Sequence, residues 1–349
     1  MNIKKNYLSA VITLATLYCT AVFADNYQDN GVFLGHSYVK YQSVIDKVPD
    51  LADKMVKQYD CRYWFVNAGF MDAKGLFIKS SEELAKASQL LNTIADYEKA
   101  KDYHFKVLAW HNGNSRKTDI SKPEVRQNIV NDCIKLVSSD VNGSFISGSK
   151  REFDGICLDM EPAGKDDVFF ENFVLLFDEI SKALDKDKIV SACTHKYGTQ
   201  NAWQWYPEYY YRMAGSVDLI IAMTYNSGSN TDLEYQNWMD EQTKTILQSV
   251  SGKYWQDSNH PALNDNVKVM LGFPGYPPSK YHKPEFENIK NASLGVQKGL
   301  NKLNEDKQNL SHKYFLGAAV YLYTDGTGKD NYSSETTDWQ QFRQFWLKP

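Results

Sequence analysis

The chain has few cysteines, five in 349 residues, and Cys19 lies in an N-terminal apolar segment. The other four, Cys61, Cys133, Cys157 and Cys193, are too few and too scattered for a disulfide scaffold. One disulfide bond among them is compatible with export, but the sequence does not assign the pair. The class of small disulfide-stabilised proteins is therefore excluded.

Clusters of basic residues are also missing. The 39 Lys and Arg and 43 Asp and Glu are well mixed along the chain, the net charge is -4 and the pI is near 6.0. This balance argues against nucleic acid as a partner. The histidines show no metal-binding spacing and there is no glycine-rich phosphate loop, so we expect neither a metal nor another cofactor.

Long apolar runs are confined to the N-terminus. The run from Tyr7 to Phe23 follows Lys4 and Lys5 and ends at the small residue Ala24. This order predicts a secretory signal peptide over residues 1–24, hence an extracellular or periplasmic protein. A membrane anchor is the alternative for this segment. No later run is long enough to span a bilayer, so we expect no membrane association after cleavage.

Aromatic residues, in contrast, are abundant. They make up 14% of the chain, including 23 Tyr and 8 Trp. Aromatic rings pack well against the faces of sugars, so this composition favours a carbohydrate partner.

Strand-like and helix-like segments alternate along the rest of the chain. This order predicts parallel crossovers and an α/β fold with a single (β/α)8 TIM barrel. Because no break in composition marks a second domain, we predict one barrel domain over residues 25–349 and expect a monomer. The predicted strands are Val32–Gly35, Tyr63–Ala68, Phe105–Trp110, the stretch from Phe153 to Pro162, Lys188–Cys193, Val217–Tyr225, Val267–Phe273 and Phe315–Tyr323.

The stretch from Phe153 to Pro162 carries the clearest chemical signal. Its apolar residues alternate with Cys157, Asp159 and Glu161, so these three side chains share one face of a strand. In a TIM barrel, reactive groups lie at the C-terminal ends of strands, which is where the two carboxylates are placed.

This stretch resembles the signature of the family 18 glycoside hydrolases, the chitinase family, which reads Asp-Gly-x-Asp-x-Asp-x-Glu. Asp154, Gly155, Asp159 and Glu161 match it, whereas Cys157 replaces the middle aspartate. Three later segments resemble further family motifs, so the resemblance extends from about residue 30 to residue 346. They are Met223-Thr224-Tyr225-Asn226 for Met-x-Tyr-Asp, the segment Leu271 to Tyr276, and Gly317 to Leu322, where Leu322 replaces a tryptophan.

The resemblance implies substrate-assisted retaining hydrolysis of β-1,4-linked N-acetylglucosamine glycans, with residues 25–349 as the catalytic domain. Chitin is the first candidate substrate, and peptidoglycan and the chitobiose core of N-glycans are the alternatives. Glu161 would protonate the glycosidic oxygen, Asp159 would orient the 2-acetamido group and stabilise the oxazolinium ion, and Tyr225 would donate a hydrogen bond to the same group. The spacing itself indicates that the two carboxylates repel each other, so that the pKa of one of them rises.

The departures from the family pattern carry expectations of their own. A neutral thiol at Cys157 removes an acidic neighbour from Asp159, so we expect the pKa of Asp159 to fall and turnover to slow. Cys157 is interpreted as a buried apolar residue rather than a redox group. Leu322 removes an aromatic ring beneath the sugar, and Trp110 or Tyr323 is the predicted substitute.

Further side chains are candidates for substrate binding. Met223 and Asn226 flank Tyr225, and Trp203, Trp205 and Tyr276 follow the fifth and seventh strands. For the two tryptophans, and equally for Tyr276, packing against a neighbouring helix is the alternative. Asp154 and Gly155 are predicted to be structural.

A second class of function remains open from the sequence. A barrel that has lost turnover and binds sugars as a lectin would account for Cys157 and Leu322. Retention of both Asp159 and Glu161 favours the enzyme.

Overall fold

The computed structural model describes residues 29–164, 166–255, 259–307, 310–323 and 338–347. The predicted signal peptide lies outside these residues and stays a prediction.

Within the described part of the chain, eight parallel strands form a closed barrel. Each strand pairs with the next, and β1 also pairs in parallel with β8, which closes the ring. The predicted (β/α)8 barrel is therefore confirmed. The strands are β1 Asn30–Leu34, β2 Cys61–Met71, β3 Lys106–Asn114, β4 Gly155–Glu161, β5 Ile189–Thr194, β6 Leu219–Ala222, β7 Lys268–Pro274 and β8 Phe315–Tyr323.

Helices alternate with these strands. Several begin at a residue suited to that position: the Ser80 and Asp166 side chains accept backbone N–H groups of the first turn, and proline occupies the first turn of three others. They are α1 Val48–Tyr59, α2 Ser81–Lys101, α3 Pro123–Val137, α4 Asp167–Ala183, α5 Pro207–Ala214, α6 Asp232–Val250, α7 Ile289–Glu305 and α8 Asp338–Gln341, which continues as a π-helix over Phe342–Trp346.

Shorter elements lie between them. A one-turn helix, Gln42–Ile45, precedes α1, and 3-10 turns span His36–Val39, Lys253–Trp255 and Leu310–Tyr314. Two-residue strands occur at Phe77–Ile78, Lys196–Tyr197 and Gln204–Trp205.

Strand ends differ from the predicted ones at two places that bear on the site. Strand β3 extends through His111 to Asn114, so Asn112 lies on the barrel rather than in a loop. Strand β6 ends at Ala222, earlier than predicted, and the chain then turns through Asn226 at a positive φ of 56°. Asparagine tolerates this left-handed conformation better than most residues.

The core has two layers. A small cluster fills the barrel interior, and a much larger one lies between the strands and the helices. The interior members are Phe33, Phe65, Leu108, Trp110, Cys157, Cys193, Leu219, Ile221, Met270 and Ala319. Because these residues plug the barrel, the space left for a ligand is at the C-terminal ends of the strands.

The two ends of the described chain meet at the Asn30 side chain. Its Oδ1 accepts the backbone N–H of Ala318, at 3.1 Å, and the Trp346 Nε1–H, at 2.8 Å. In the described residues, none of the helices combines the length and the apolar character needed to cross a membrane.

Candidate active site

Asp159 lies at the C-terminal end of β4 and is 6% exposed. Its Oδ2 accepts hydrogen bonds from Trp110 Nε1, at 3.2 Å, and Asn112 Nδ2, at 3.4 Å, both on β3. Among the described residues its Oδ1 has no hydrogen-bond partner. A buried acceptor without a partner is costly, so this oxygen is available to a donor on a ligand.

Glu161 occupies the next position on the same face of β4, and its side chain is 36% exposed. The nearby His195 ring places Nδ1 3.7 Å from Glu161 Oε1. The carboxyl group of Glu161 therefore borders solvent, whereas that of Asp159 lies deeper in the barrel.

The pKa values of both carboxyl groups are raised above their ordinary values. Burial and then the negative charge of Asp159 raise the pKa of Glu161, while Lys196 opposes the rise. The prediction of a raised pKa in the pair is confirmed at Glu161, although burial contributes more than the repulsion from which the rise was predicted. The expected fall at Asp159 is wrong: burial raises its pKa although the hydrogen bond from Trp110 works in the other direction.

Tyrosine side chains form one wall of the site. The Tyr225 ring stacks on Tyr321 with centroids 5.6 Å apart and meets Tyr276 edge-on at 5.5 Å. Burial raises the pKa of Tyr225, with further contributions from Tyr321 and Glu161, so its hydroxyl stays a proton donor. Tyr276 donates its hydroxyl hydrogen to Asn226 Oδ1, at 2.8 Å. The structure thus brings Tyr225, Asn226 and Tyr276 to the acid pair.

Trp110 and Met223 also lie at the candidate active site. The Trp110 ring meets Tyr321 edge-on at 5.9 Å, and Met223 packs against the interior cluster. Leu322 packs there too. The residue before Leu322, Tyr321, brings an aromatic ring to the site through its contacts with Trp110 and Tyr225.

Two predicted binding residues are placed elsewhere. Tyr323 belongs to the outer cluster and packs against Trp339, because its side chain points to the helices. Trp205 is fully buried, packs edge-on against Phe170 and donates its Nε1–H to the Ala163 carbonyl. The predictions that Tyr323 and Trp205 bind substrate are therefore wrong, and both side chains pack in the core.

Trp203 is different: it is 45% exposed, and its ring lies 5.4 Å from that of His195. It therefore stays a candidate for contact with a ligand.

The signature residues below the acid pair are packed as structural elements. Asp154 accepts the Val107 N–H, at 2.8 Å, and pairs with Arg151, at 2.7 Å. A Cβ atom on Gly155 would lie 2.0 Å from the Ile189 carbonyl oxygen, so only glycine fits. Cys157 is fully buried with its sulfur 3.4 Å from that of Cys193, and both thiols are free.

Three residues of the site were missed by the sequence reasoning: Asn112, Lys196 and Tyr321. His195 is recognisable in the sequence as a histidine at the end of a predicted strand that could contact substrate, although a histidine with satisfied polar contacts was the preferred interpretation. Lys196 donates its ammonium hydrogens to the carbonyl oxygens of Tyr225, at 3.2 Å, and Asn226, at 2.7 Å, and so supports the turn that carries Tyr225. The one shared signal in the sequence is that each lies at or just after the C-terminal end of a strand.

The described residues contain no group of three or more His, Cys, Asp or Glu side chains that could hold a metal ion. The arrangement supplies instead one half-exposed acid, one buried carboxylate and a tyrosine hydroxyl. Together with the closed parallel barrel, these groups define the class of TIM-barrel glycosidases.

The family model described as glycosyl hydrolases family 18 matches residues 37–346. The chain belongs to this family, and it is a glycosidase. The comparison with curated proteins gives no match.

The chain is also similar in fold to several solved structures. The C-terminal domain of a protein described as a chitinase, from Desulfitobacterium hafniense, is 15% identical, with 92% of this chain and 100% of that chain covered and a TM-score of 0.57. A family 18 N-acetylglucosaminidase from Paenibacillus barengoltzii is 12% identical, with 85% and 95% covered and a TM-score of 0.53. A chitinase from Rhizomucor miehei is 11% identical, with 91% and 99% covered and a TM-score of 0.53. Because these sequence identities are low, the three comparisons show similarity of fold alone.

Proposed function

We propose that the protein hydrolyses β-1,4-linked N-acetylglucosamine glycans with retention of configuration, using the substrate's own acetamido group as nucleophile. The observation that carries this proposal is the buried Oδ1 of Asp159, which has no hydrogen-bond partner among the described residues and lies deeper in the barrel than the partly exposed Glu161. An acetamido N–H is a donor of the right kind for that oxygen.

The groups present account for each step. Glu161 gives its proton to the glycosidic oxygen as the bond to the anomeric carbon breaks. The acetamido carbonyl oxygen bonds to that carbon, and Asp159 stabilises the resulting oxazolinium ion while Tyr225 donates to the acetamido oxygen. Water then adds to the anomeric carbon, returns a proton to Glu161 and opens the ring.

Hydrolysis of chitooligosaccharides, followed by proton NMR of the fresh product, tests this proposal. We expect the β-anomer first, since two displacements retain configuration. Cellooligosaccharides of the same length, which lack the acetamido group, serve as the matched substrate. Turnover of these at a similar rate, or an initial α-anomer, would contradict the mechanism.

The raised pKa values predict the pH dependence. Glu161 must be protonated to act, so activity is lost as the pH rises through its pKa; Asp159 must be ionised, so activity is lost as the pH falls through its pKa. Because both pKa values lie above the ordinary carboxyl range, we expect a bell-shaped kcat/KM profile centred near neutral pH. The apparent pKa values of its two limbs belong to the interacting pair rather than to either residue alone. An optimum below about pH 5, the range of ordinary carboxyl groups, would contradict this expectation.

Trp203 is proposed to stack on a sugar bound beside Glu161. We expect Trp203→Ala to raise KM for long chitooligosaccharides by about 2- to 10-fold, since packing on an aromatic ring contributes about 0.5–1.5 kcal/mol. Trp203→Phe keeps a ring and should restore most of the affinity. Unchanged KM in the alanine variant would exclude the subsite.

We also propose that residues 1–24 direct export, on the basis of Lys4, Lys5 and the apolar run that follows. Mass spectrometry of the protein recovered from producing cells tests this. A mature chain that begins at Asp25 is the expected result, and a full-length chain that stays with the membrane fraction would favour the anchor.

A further inference from the structure

His195 directly follows β5 and is 3% exposed, so its ring is enclosed by the site rather than by solvent. Its Nε2 accepts the backbone N–H of Ala163, at 2.8 Å, and its Nδ1 lies 3.7 Å from Glu161 Oε1. The ring therefore bridges the backbone after Glu161 and the carboxyl of Glu161 itself.

The contact with Ala163 fixes the tautomer. An amide N–H can only donate, so Nε2 must present its lone pair and the ring hydrogen must be on Nδ1. Burial, and secondarily Lys196, lowers the pKa of His195 to about 3, so the ring is neutral at every pH at which the enzyme would work. The ring nitrogen that lies 3.7 Å from Glu161 Oε1 is consequently the one that carries the hydrogen.

The ring has little freedom to turn away. The Tyr210 hydroxyl donates to the backbone carbonyl of His195, and the Trp203 ring lies against the imidazole. Ala163 in turn is held by Trp205, whose Nε1–H donates to the Ala163 carbonyl at 2.9 Å. The backbone of His195 and that of Ala163 are thus each bonded to a buried aromatic residue.

We infer that His195 is a positioning residue for Glu161: its Nδ1–H orients the Glu161 carboxyl towards the glycosidic oxygen. The 3.7 Å separation is longer than a hydrogen bond, and a small rotation of the carboxyl closes it when a substrate binds. The catalytic consequence depends on the function proposed above, whereas the contact between the two side chains does not.

Other groups also act on Glu161, and they set the direction of the expected effect. Asp159 on β4 raises its pKa and Lys196 lowers it, while Tyr225 after β6 and Tyr321 on β8 face it as neutral hydroxyls. Glu287 lies beyond Lys196 and interacts with that lysine. A neutral N–H donor favours the ionised carboxylate, so loss of His195 should raise the pKa of Glu161 further.

Two substitutions separate the halves of the bridge. His195→Gln places an amide near Nε2, where it can accept from Ala163, but leaves no donor near Nδ1. His195→Asn places an amide N–H near Nδ1 but does not reach Ala163. His104→Asn is the matched control, because His104 precedes β3 at the opposite end of the barrel and is largely exposed.

We expect His195→Gln to lower kcat about 10-fold with little change in KM, because a misplaced acid acts on the transition state rather than on binding. The alkaline limb of its pH profile should move up by about half a unit or more. His195→Asn should keep most of the activity and the original limb. The reverse order, an impaired asparagine variant and a normal glutamine variant, would overturn the inference and assign the ring to support of Ala163 alone.

Titration of the Glu161 carboxyl by carbon-13 NMR gives a second measurement that needs no substrate. Its resonance is identified by its loss in Glu161→Gln. A higher pKa in His195→Gln than in the parent supports the inference even if no glycan is hydrolysed, in which case the proposed function alone fails. Identical titration curves in the parent and both His195 variants would overturn it.

Discussion

Glu161→Gln is expected to lower kcat by about 10²- to 10⁴-fold, the usual contribution of a positioned general acid. Glutamine fills the same space but has no proton to give to the glycosidic oxygen. KM should change little because Glu161 is needed mainly in the transition state. Kinetics on chitooligosaccharides measure both constants.

A substrate whose leaving group needs no protonation tests whether Glu161 is the general acid. A dinitrophenyl glycoside departs without protonation, so Glu161→Gln should hydrolyse it at a rate much closer to that of the parent. Glu124→Gln, on the exposed first turn of α3, is the matched control and should behave as the parent does. An equal loss on both kinds of leaving group would show that Glu161 is not the acid.

The same variant has a stability signature. The pKa of Glu161 is raised in the folded protein, so the folded state binds this proton more tightly than the unfolded state. Its contribution to stability is therefore greatest below the ordinary glutamate pKa and is lost as the pH rises through the raised pKa. Glu161→Gln lacks this term, so its unfolding temperature should fall less than that of the parent between pH 5 and pH 9. Parallel curves for the two proteins would contradict the raised pKa.

Asp159→Asn is the second large effect. We expect kcat to fall by about 10²- to 10³-fold, since a buried negative charge next to the oxazolinium ion is replaced by a neutral amide. The fold should survive because the asparagine oxygen can still accept from Trp110 and Asn112.

The pH profile distinguishes this charge effect from a general loss of structure. Asp159 raises the pKa of Glu161, so its removal should move the alkaline limb to lower pH. Trp110→Phe removes a hydrogen bond to Asp159 but keeps the charge, and serves as the comparison. An Asp159→Asn variant with the parental alkaline limb would show that the two carboxyl groups do not interact.

The local patterns of the sequence were sufficient to predict the barrel, because period-two alternation and helical periodicity are properties of neighbouring residues. The ends of the elements were less accessible. At β6 the apolar pattern continues through Met223 to Tyr225, yet the chain leaves the strand at Ala222 and turns at Asn226. Nothing in the alternation marks that departure.

Side-chain direction at the ends of strands was the other source of error. Tyr321 and Tyr323 are both tyrosines near the end of β8, so the sequence does not distinguish them. In the structure Tyr321 faces the acid pair and Tyr323 faces α8. Trp203 and Trp205 lie in a loop where no periodicity separates the exposed ring from the buried one. His195 contributes through Ala163 and Glu161, contacts between two strand ends that only the folded barrel creates.

Closure of the ring by β1 and β8 has a consequence during synthesis. Strand β1 can pair with β8 only after Phe315–Tyr323 has left the ribosome. The hydrogen bond between Trp346 and the Asn30 side chain forms later still. Until then the nascent chain presents unpaired strand edges, which attract other chains. Completion of the barrel should therefore be a late event in folding, because it cannot precede the emergence of β8.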